Sequence, residues 1–265
     1  MMDKLIITAT TANSWIYPEI KNWALTVDDL VEDCVQCYEA GAAVVHVHLT
    51  RGHEKEIVEK IRKRCDVIIQ AGMSSDVIPD RTGDFEARPE MLSIILNHHA
   101  EFFTEMAVNR LHPMEELEEY CKKCRDYGIR PEWEVWNAGS CWSLEYLDKK
   151  GLLDKPNILT CFFGWPGSSW SPPTAEEYLN RVRCLPRESA YSVSIMGEEQ
   201  TLIATLAIAT GGNVRAGTED WPFLTPGKPA KNNAEIVERI VRLSKEMGRE
   251  VASVGEARKL LNLKK

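Results

Sequence analysis

The chain has 265 residues, of which 44% are hydrophobic and 27% are charged. These proportions are typical of a globular protein and exclude disordered, collagen-like and coiled-coil chains. The 32 basic and 40 acidic side chains give a net charge of −8 without any basic block, so no nucleic-acid partner is expected. The longest mildly apolar run, residues 201–210, is too short to span a membrane, and the N-terminus lacks the features of a signal peptide. We therefore expect a cytoplasmic protein with no membrane partner.

Apolar runs of strand length alternate with amphipathic segments along the chain. The predicted strands are residues 4–10, 43–49, 66–71, 102–108, 131–136, 158–163, 191–196 and 214–216. The predicted helices are residues 27–40, 54–64, 89–97, 114–127, 142–149, 175–185, 199–209, 233–247 and 256–261. Two of these helices follow a capping-box pattern, Thr-x-x-acidic, that begins at Thr26 or Thr174.

Eight strand–helix units in a chain of this length predict an α/β fold of the (β/α)8 TIM-barrel type, with residues 1–265 forming a single domain. The strands read as nearly continuous apolar runs, as expected for a parallel sheet that helices cover. A doubly wound open sheet is the alternative. It prefers fewer strands, and no GxGxxG or P-loop motif supports it.

Four of the eight cysteines form two pairs with CxxC spacing, Cys34/Cys37 and Cys121/Cys124. This spacing occurs in zinc sites and redox motifs. Cys34, Cys121 and Cys124, however, lie on the apolar stripes of two predicted helices, and the two pairs are far apart in the chain. We therefore interpret these cysteines as core thiols.

Two histidines end the second predicted strand. Because side chains alternate along a strand, His46 and His48 face the same way. In a TIM barrel the carboxyl ends of the strands open on the active-site face, where two imidazoles with one carboxylate can hold a metal. The alternative is a pair of buried histidines that hydrogen-bond to core partners.

Two acidic or basic clusters lie near other strand ends. Arg215, Glu219 and Asp220 follow the glycines at the last strand, where an Arg can clamp a carboxylate and a Glu can bind metal. Glu132 and Glu134 share one face of another strand, and an acidic pair inside a barrel needs a cation or metal as partner. The alternative for the first cluster is a solvent-exposed turn held by salt bridges. The alternative for the glutamates is that they lie in water at the start of their strand.

These motifs, together with others in the same order, resemble the β-keto acid cleavage enzyme family. The matching pieces are Ile6-Ile7-Thr8-Ala9, Glu39-Ala40-Gly41-Ala42 before His46-Val47-His48, Arg88-Pro89-Glu90-Met91, Pro131-Glu132-Trp133-Glu134, Gly164-Trp165-Pro166-Gly167, and Gly211-Gly212 before Arg215-x-Gly217-x-Glu219-Asp220. The resemblance implies a zinc-dependent TIM-barrel acyltransferase, in which a β-keto acid and acetyl-CoA become a new acyl-CoA and acetoacetate. It also implies a homo-oligomer, either a dimer or a tetramer.

The resemblance assigns roles to individual residues. It implies three zinc ligands, which are His46, His48 and Glu219. It implies a charged catalytic set beside the metal, formed by Arg215, Asp220 and Glu134. It implies four substrate-binding serines, which are Ser14, Ser74, Ser75 and Ser93. In this chemistry zinc polarises the ketone oxygen, and the Arg stabilises developing negative charge.

The chain departs from the family pattern around the substrate. Asn13-Ser14-Trp15 stands where the family's lysine-pathway member has an acidic residue for its substrate amine, and Gly72-Met73-Ser74-Ser75 replaces a Ser-Thr-Gly-Gly turn. Four tryptophans lie in or near predicted strand-end loops, namely Trp15, Trp136, Trp165 and Trp221. Rings in a pocket suit an apolar acyl group or a quaternary ammonium, and the missing carboxylate favours an apolar or neutral substrate. The alternative is that these rings only pack loops or subunit contacts.

Two other functions compete with this hypothesis. One is a different metal-dependent aldolase or hydrolase reaction on the same barrel. The other is a catalytically idle barrel that binds a metabolite. The departure from the family pattern at residues 72–75 is the reason to retain this second hypothesis.

Overall fold

The computed structural model describes residues 3–11, 26–101, 108–164 and 169–264. Its strands, labelled β1 to β12 in chain order, are Ile7–Thr10, Val44–Val47, Ile68–Ala71, Met91–Ile95, His98–Glu101, Val108–Leu111, Arg130–Val135, Asn157–Gly164, Ser189–Met196, Asn213–Gly217, Phe223–Thr225 and Lys228–Pro229. Eight of them form a closed parallel barrel in the order β1-β10-β9-β8-β7-β4-β3-β2. The predicted (β/α)8 TIM barrel is therefore confirmed.

The helices of the described residues surround this barrel. Labelled α1 to α9, they are Val27–Glu39, Glu54–Arg64, Thr82–Ala87, Met114–Tyr127, Ala138–Lys149, Ala175–Cys184, Gln200–Thr210, Asn233–Glu246 and Val254–Leu260. Thr26 caps α1 with the complete predicted box, in which Asp29 bonds back to the Thr26 backbone. Thr174 caps α6 through its hydroxyl, which accepts the Glu177 N–H. No described helix is long and apolar enough to cross a membrane.

The fourth barrel strand lies elsewhere than predicted. Residues 91–95, which the sequence pattern assigned to a helix over 89–97, form β4 between β3 and β7. The predicted strand 102–108 lies almost wholly outside the described residues, and Val108 instead begins β6, which pairs antiparallel with β5. All five residues of β4 are buried, and a short apolar run that is buried on both faces carries no periodicity to separate strand from helix.

The four CxxC cysteines are buried and free, as the core-thiol interpretation expects. Burial raises the pKa of the Cys121 and Cys124 thiols to about 12, and it raises the pKa values of Cys34 and Cys37 as well. A thiol with such a pKa stays protonated at neutral pH, so it is neither a nucleophile nor a ready metal ligand.

Candidate active site

The charged residues of interest meet at the carboxyl ends of the barrel strands. His46 lies on β2, Glu134 on β7 and Arg215 on β10, while Glu219 and Asp220 occupy the turn directly after β10. Strand β1 separates β2 from β10 in the barrel, so residues more than 160 positions apart in sequence meet across one strand. This edge of a TIM barrel is where such enzymes place their catalytic residues.

His46, His48 and Glu219 point their ligand atoms at one another. The Nε2 atoms of the two imidazoles are 3.4 Å apart, and the Glu219 carboxylate oxygens lie 3.5 Å from His46 Nε2 and 3.2 Å from His48 Nε2. All three ligand atoms fall within 4.8 Å of one another. Across residues 3–11, 26–101, 108–164 and 169–264, this is the one group of three or more such side chains arranged to hold a metal.

The environment of His46 suits a neutral ligand. Burial, together with the charge of Arg215, lowers the pKa of His46 well below its usual value. Its Nδ1 lies 2.9 Å from the carbonyl oxygen of the Gln70 side chain, on β3, so Nδ1 carries the proton and donates it there. The opposite nitrogen, Nε2, is then left with a lone pair that faces Glu219.

Arg215 and Asp220 form a buried, two-pronged ion pair. Arg215 Nε donates to Asp220 Oδ2 at 3.1 Å, and Nη2 donates to Oδ1 at 2.9 Å. Ser194 Oγ, on β9, donates to the same carboxylate at 2.8 Å. Burial alone would lower the pKa of Arg215, but Asp220 and Glu219 outweigh it and raise that pKa well above its usual value. The guanidinium is therefore permanently charged and fixed in orientation.

Glu219 is kept ionised by its neighbours. Burial works to raise the pKa of this carboxyl, but the charge of Arg215, together with the neighbouring His48 and His46 rings, lowers it well below its usual value. Arg215 Nη2 lies 3.1 Å from Oε2, yet that buried oxygen accepts no hydrogen bond of ordinary geometry within the described residues. An ionised, buried oxygen that lacks a hydrogen bond is well suited to bind a metal ion.

Glu134 has the opposite character. Burial, together with the neighbouring Glu132 carboxyl, raises the pKa of Glu134 to about 7, although Arg215 opposes the shift. Burial also raises the pKa of Glu132. A carboxyl with a pKa near 7 can take up or release a proton at neutral pH, which is the property of a general acid or base.

The four serines assigned to the substrate are placed differently from one another. Ser14 lies outside the described residues. Ser74 and Ser75 are half-buried in the turn after β3, and the Ser74 side chain lowers the pKa of Glu134. Ser93, on β4, is fully buried, and its Oγ lies 3.4 Å from His46 Nδ1, on the side of the ring away from Glu219.

Two of the four tryptophans pack against other rings. Trp136 stacks on Phe162 with centroids 4.1 Å apart, and Trp221 packs against Phe223 at 4.8 Å. Both are buried, so they fit the packing alternative better than an open aromatic pocket. Trp15 and Trp165 lie outside the described residues.

Sequence reasoning missed three residues that contact the charged groups, namely Gln70, Phe162 and Ser194. It named Trp136 only as a possible ring of a substrate pocket. Gln70 is the one polar residue of β3, and this was the signal in the sequence that pointed to it. Ser194 is one of three serines in β9, so the sequence does not distinguish it. Phe162 lies under Arg215, whose Cζ is 4.9 Å from the ring centroid, a contact that no sequence pattern indicates.

The closed parallel barrel, with a His-His-carboxylate group that could hold a metal and a fixed Arg–Asp pair at its strand ends, places the protein in the TIM-barrel class. The family model described as beta-keto acid cleavage enzyme matches residues 4–263. The chain therefore belongs to the β-keto acid cleavage enzyme family, which confirms the resemblance seen in the sequence.

Individual relatives agree with this assignment. A 3-keto-5-aminohexanoate cleavage enzyme from Acetoanaerobium sticklandii is 34% identical over 281 positions that cover both chains completely. A 3-dehydrocarnitine:acetyl-CoA trimethylamine transferase from Rhizobium meliloti is 25% identical, over 91% of this chain and 90% of its own. The solved complex of ObcA with oxaloacetate matches with a TM-score of 0.73 at 17% identity, over 91% of this chain and 67% of ObcA, which shows a shared fold.

Proposed function

We propose that this chain is a metal-dependent β-keto acid cleavage enzyme that uses acetyl-CoA as co-substrate. The acyl part of the β-keto acid moves to CoA, and the remaining two-carbon carboxylate joins the acetyl group to give acetoacetate. One carbon–carbon bond and one thioester break, and one of each forms, so atoms and charge balance. The observation that carries the proposal is the convergence of His46, His48 and Glu219 beside the fixed Arg215–Asp220 pair.

The residues present fit a divalent metal, and we assign zinc. Two imidazoles and one carboxylate are typical ligands of catalytic zinc, which keeps a further position open for substrate. Gln70 fixes the His46 tautomer that leaves Nε2 free, and Ser93 supports the same ring. When bound, the metal supplies Lewis-acid polarisation of a ketone oxygen.

Arg215 binds a negatively charged or polarised oxygen of the reacting molecules. Asp220 holds Nε and Nη2, while Nη1 makes only a long 3.5 Å approach to His46 Nδ1 within the described residues. Nη1 is therefore the donor that we assign to substrate. Asp220 orients the guanidinium, and Glu134, with its pKa near 7, carries the proton that the reaction moves.

The test is an acetoacetate assay on pure protein. The protein is stripped of metal, reloaded with Zn²⁺, and mixed with acetyl-CoA and a panel of β-keto acids. We expect acetoacetate only when zinc, acetyl-CoA and a β-keto acid are all present. Cleavage without acetyl-CoA would favour the aldolase or hydrolase hypothesis, and metabolite binding without turnover would favour the idle barrel.

The substrate side chain is a separate proposal. One named relative acts on an amino compound and another transfers a trimethylamine compound, so family membership alone leaves the tail group open. We propose an apolar or neutral tail, because Ser14 stands where an acidic amine partner would be. Comparing kcat/KM for matched β-keto acids with alkyl, primary-amine and trimethylammonium tails decides this, and a preference for the primary amine would contradict it.

Location and assembly are also proposals. We propose a cytoplasmic homo-oligomer, a dimer or a tetramer. Large apolar side chains on the outer helices support the assembly, with Trp142 71% exposed on α5 and Leu202 52% exposed on α7. Light scattering on the pure protein measures the mass, and a monomer would contradict the assembly. Fractionation of the source cells tests the location.

A further inference from the structure

Trp136 connects Glu134 with Arg215, two charged groups of the site that are not metal ligands. It is the first residue after β7, and its indole Nε1 donates to Glu134 Oε2 at 3.0 Å. Both side chains are almost fully buried, with 3% exposure each. Because water has little access to this pair, the hydrogen bond sets where the carboxylate points.

The face of the same indole supports the residue beneath Arg215. Trp136 and Phe162 stack with an interplanar angle of 13° and centroids 4.1 Å apart. The Arg215 Cζ lies 4.9 Å from the centroid of the Phe162 ring. His99 and Trp170 close on Trp136 with centroids at 4.2 and 4.5 Å, so the indole has little freedom to rotate.

We propose that Trp136 is a positioning residue that fixes the Glu134 carboxylate through its indole N–H and steadies the Arg215 guanidinium through Phe162. This inference rests on the proposed function, in which Glu134 carries a proton. It gives Trp136, which the sequence indicated only as a possible ring of a substrate pocket, a role in positioning the reacting groups.

The hydrogen bond also influences the charge of Glu134. Among the described residues, the charged and titratable groups with the largest effect on the pKa of Glu134 are Glu132 on β7, Arg215 on β10 and His99 on β5. An N–H donor favours the ionised carboxylate over the neutral acid, so the indole works against burial and against Glu132. Removing the donor should raise the pKa of Glu134 further above 7.

The variant Trp136→Phe tests the proposal because it removes the N–H donor while it keeps an aromatic ring against Phe162. We expect kcat/KM at pH 7 to fall by about ten- to hundredfold, the range for a hydrogen bond to a charged group. The loss should shrink as the pH rises, because Glu134 then ionises without help. Tyr146→Phe is the matched control: it also removes an aromatic donor to a glutamate, Glu118 at 3.0 Å, but on the exposed side of α5, and it should leave the pH profile unchanged.

A purely structural role would give a different profile. In that case Trp136→Phe would lose the same fraction of activity at every pH, and the proposal would be wrong. A second comparison uses Glu134→Gln, in which there is no carboxylate to position. Adding Trp136→Phe to that variant should then cost much less than it costs in the wild type.

A measurement without turnover separates this inference from the proposed function. Carbon-13 NMR of glutamate-labelled protein follows the Glu134 carboxyl against pH, with Glu134→Gln giving its assignment. We expect the midpoint to move up by about one pH unit in Trp136→Phe. An unchanged midpoint overturns the inference, whereas a wild-type protein that makes no acetoacetate overturns only the proposed function.

Discussion

Arg215 forms a contact that lysine cannot reproduce. Its two parallel hydrogen bonds to Asp220 need a planar fork, and a lysine ammonium would leave one buried carboxylate oxygen without its donor. We therefore expect Arg215→Lys to keep zinc but to lose about 10²- to 10³-fold in kcat, the range for removal of a buried charge-stabilising donor. Acetoacetate formation and metal content measure the two effects.

The matched control for this substitution is Arg242→Lys. Arg242 lies on α8 with its side chain 63% exposed, and its nearest carboxylate oxygen, on Glu238, is 3.9 Å away. This variant should retain wild-type turnover. Near-normal turnover in Arg215→Lys itself would contradict the assigned role.

Gly217 occupies a position where a side chain does not fit. It pairs with Thr10 across the β1–β10 seam, and a Cβ added to it would lie 2.4 Å from the Thr10 carbonyl oxygen. Backbone cannot rotate away as a side chain can, so Gly217→Ala must push β10 and the following Glu219 outward. We expect a stability loss of about 1–3 kcal/mol and a similar loss in zinc binding free energy.

Urea unfolding and zinc titration measure both losses. Gly255→Ala, on α9, is the control, since an added Cβ there has no atom within 4 Å. If Gly217→Ala bound zinc as tightly as Gly255→Ala, then the close pairing of β1 with β10 at Gly217 would not determine the position of Glu219.

At the residue scale, the sequence predicted what depends on local spacing. Two histidines two residues apart on one strand face the same way in any strand, so His46 and His48 needed no tertiary information. The residues that hold the site side chains in place could not be predicted in this way. Gln70 contacts His46 from another strand, and Trp136 contacts Glu134 from a loop. Such contacts follow from barrel register and ring packing, which a single sequence does not display.

At the element scale, the helices were easier to predict than the strands. Helices α2 and α4 match the predicted residues 54–64 and 114–127 at both ends, since each has an apolar stripe of helical period. Strand β4 was mistaken for a helix, since its five buried residues show neither alternation nor a stripe. The predicted number of barrel strands was nevertheless eight, because the apolar run at residues 102–108 was counted as a strand instead of β4.

The contact between α1 and α8 gives a prediction at this scale. Asp33 on α1 accepts a hydrogen bond from Asn233 at 2.6 Å, and Asn233, the first residue of α8, accepts the Thr218 N–H at 2.7 Å. Burial raises the pKa of Asp33 from 3.8 to about 6, although the Asn233 hydrogen bond opposes it. The folded protein therefore holds this proton more tightly than the unfolded chain.

The sign of the pH effect follows from linkage. A raised folded-state pKa contributes stability that is fully present below pH 3.8 and is lost as the pH rises through about 6. Between these values, the free energy of unfolding of the wild type should fall by up to about 3 kcal/mol relative to Asp33→Asn. Urea unfolding of both proteins across this range measures the difference. Parallel curves would contradict the prediction, and Asp28→Asn, with its side chain 82% exposed on the same helix, is the control.

At the scale of the whole molecule, the site lies where the two ends of the chain meet. Strand β1 pairs with β10 on one side and β2 on the other, and Leu5 bonds through its backbone to Glu250 and Ala252. His46 lies on β2 and Glu219 lies in the turn directly after β10, and these two strands flank β1. A metal held between them therefore joins the first and last parts of the barrel.

Zinc should accordingly stabilise the entire fold and not one segment of it. At a free zinc concentration of 100 times Kd, binding to the folded state alone adds about 2.7 kcal/mol, which corresponds to a rise in Tm of about 5–10 °C for a chain of this size. We expect one unfolding transition with and without zinc in calorimetry, as the single-domain prediction requires. His48→Ala should abolish the zinc-dependent rise, while His53→Ala, an exposed histidine paired with Glu56, should keep it. A second transition would contradict the single domain, and a zinc-dependent rise that persists in His48→Ala would place the metal elsewhere.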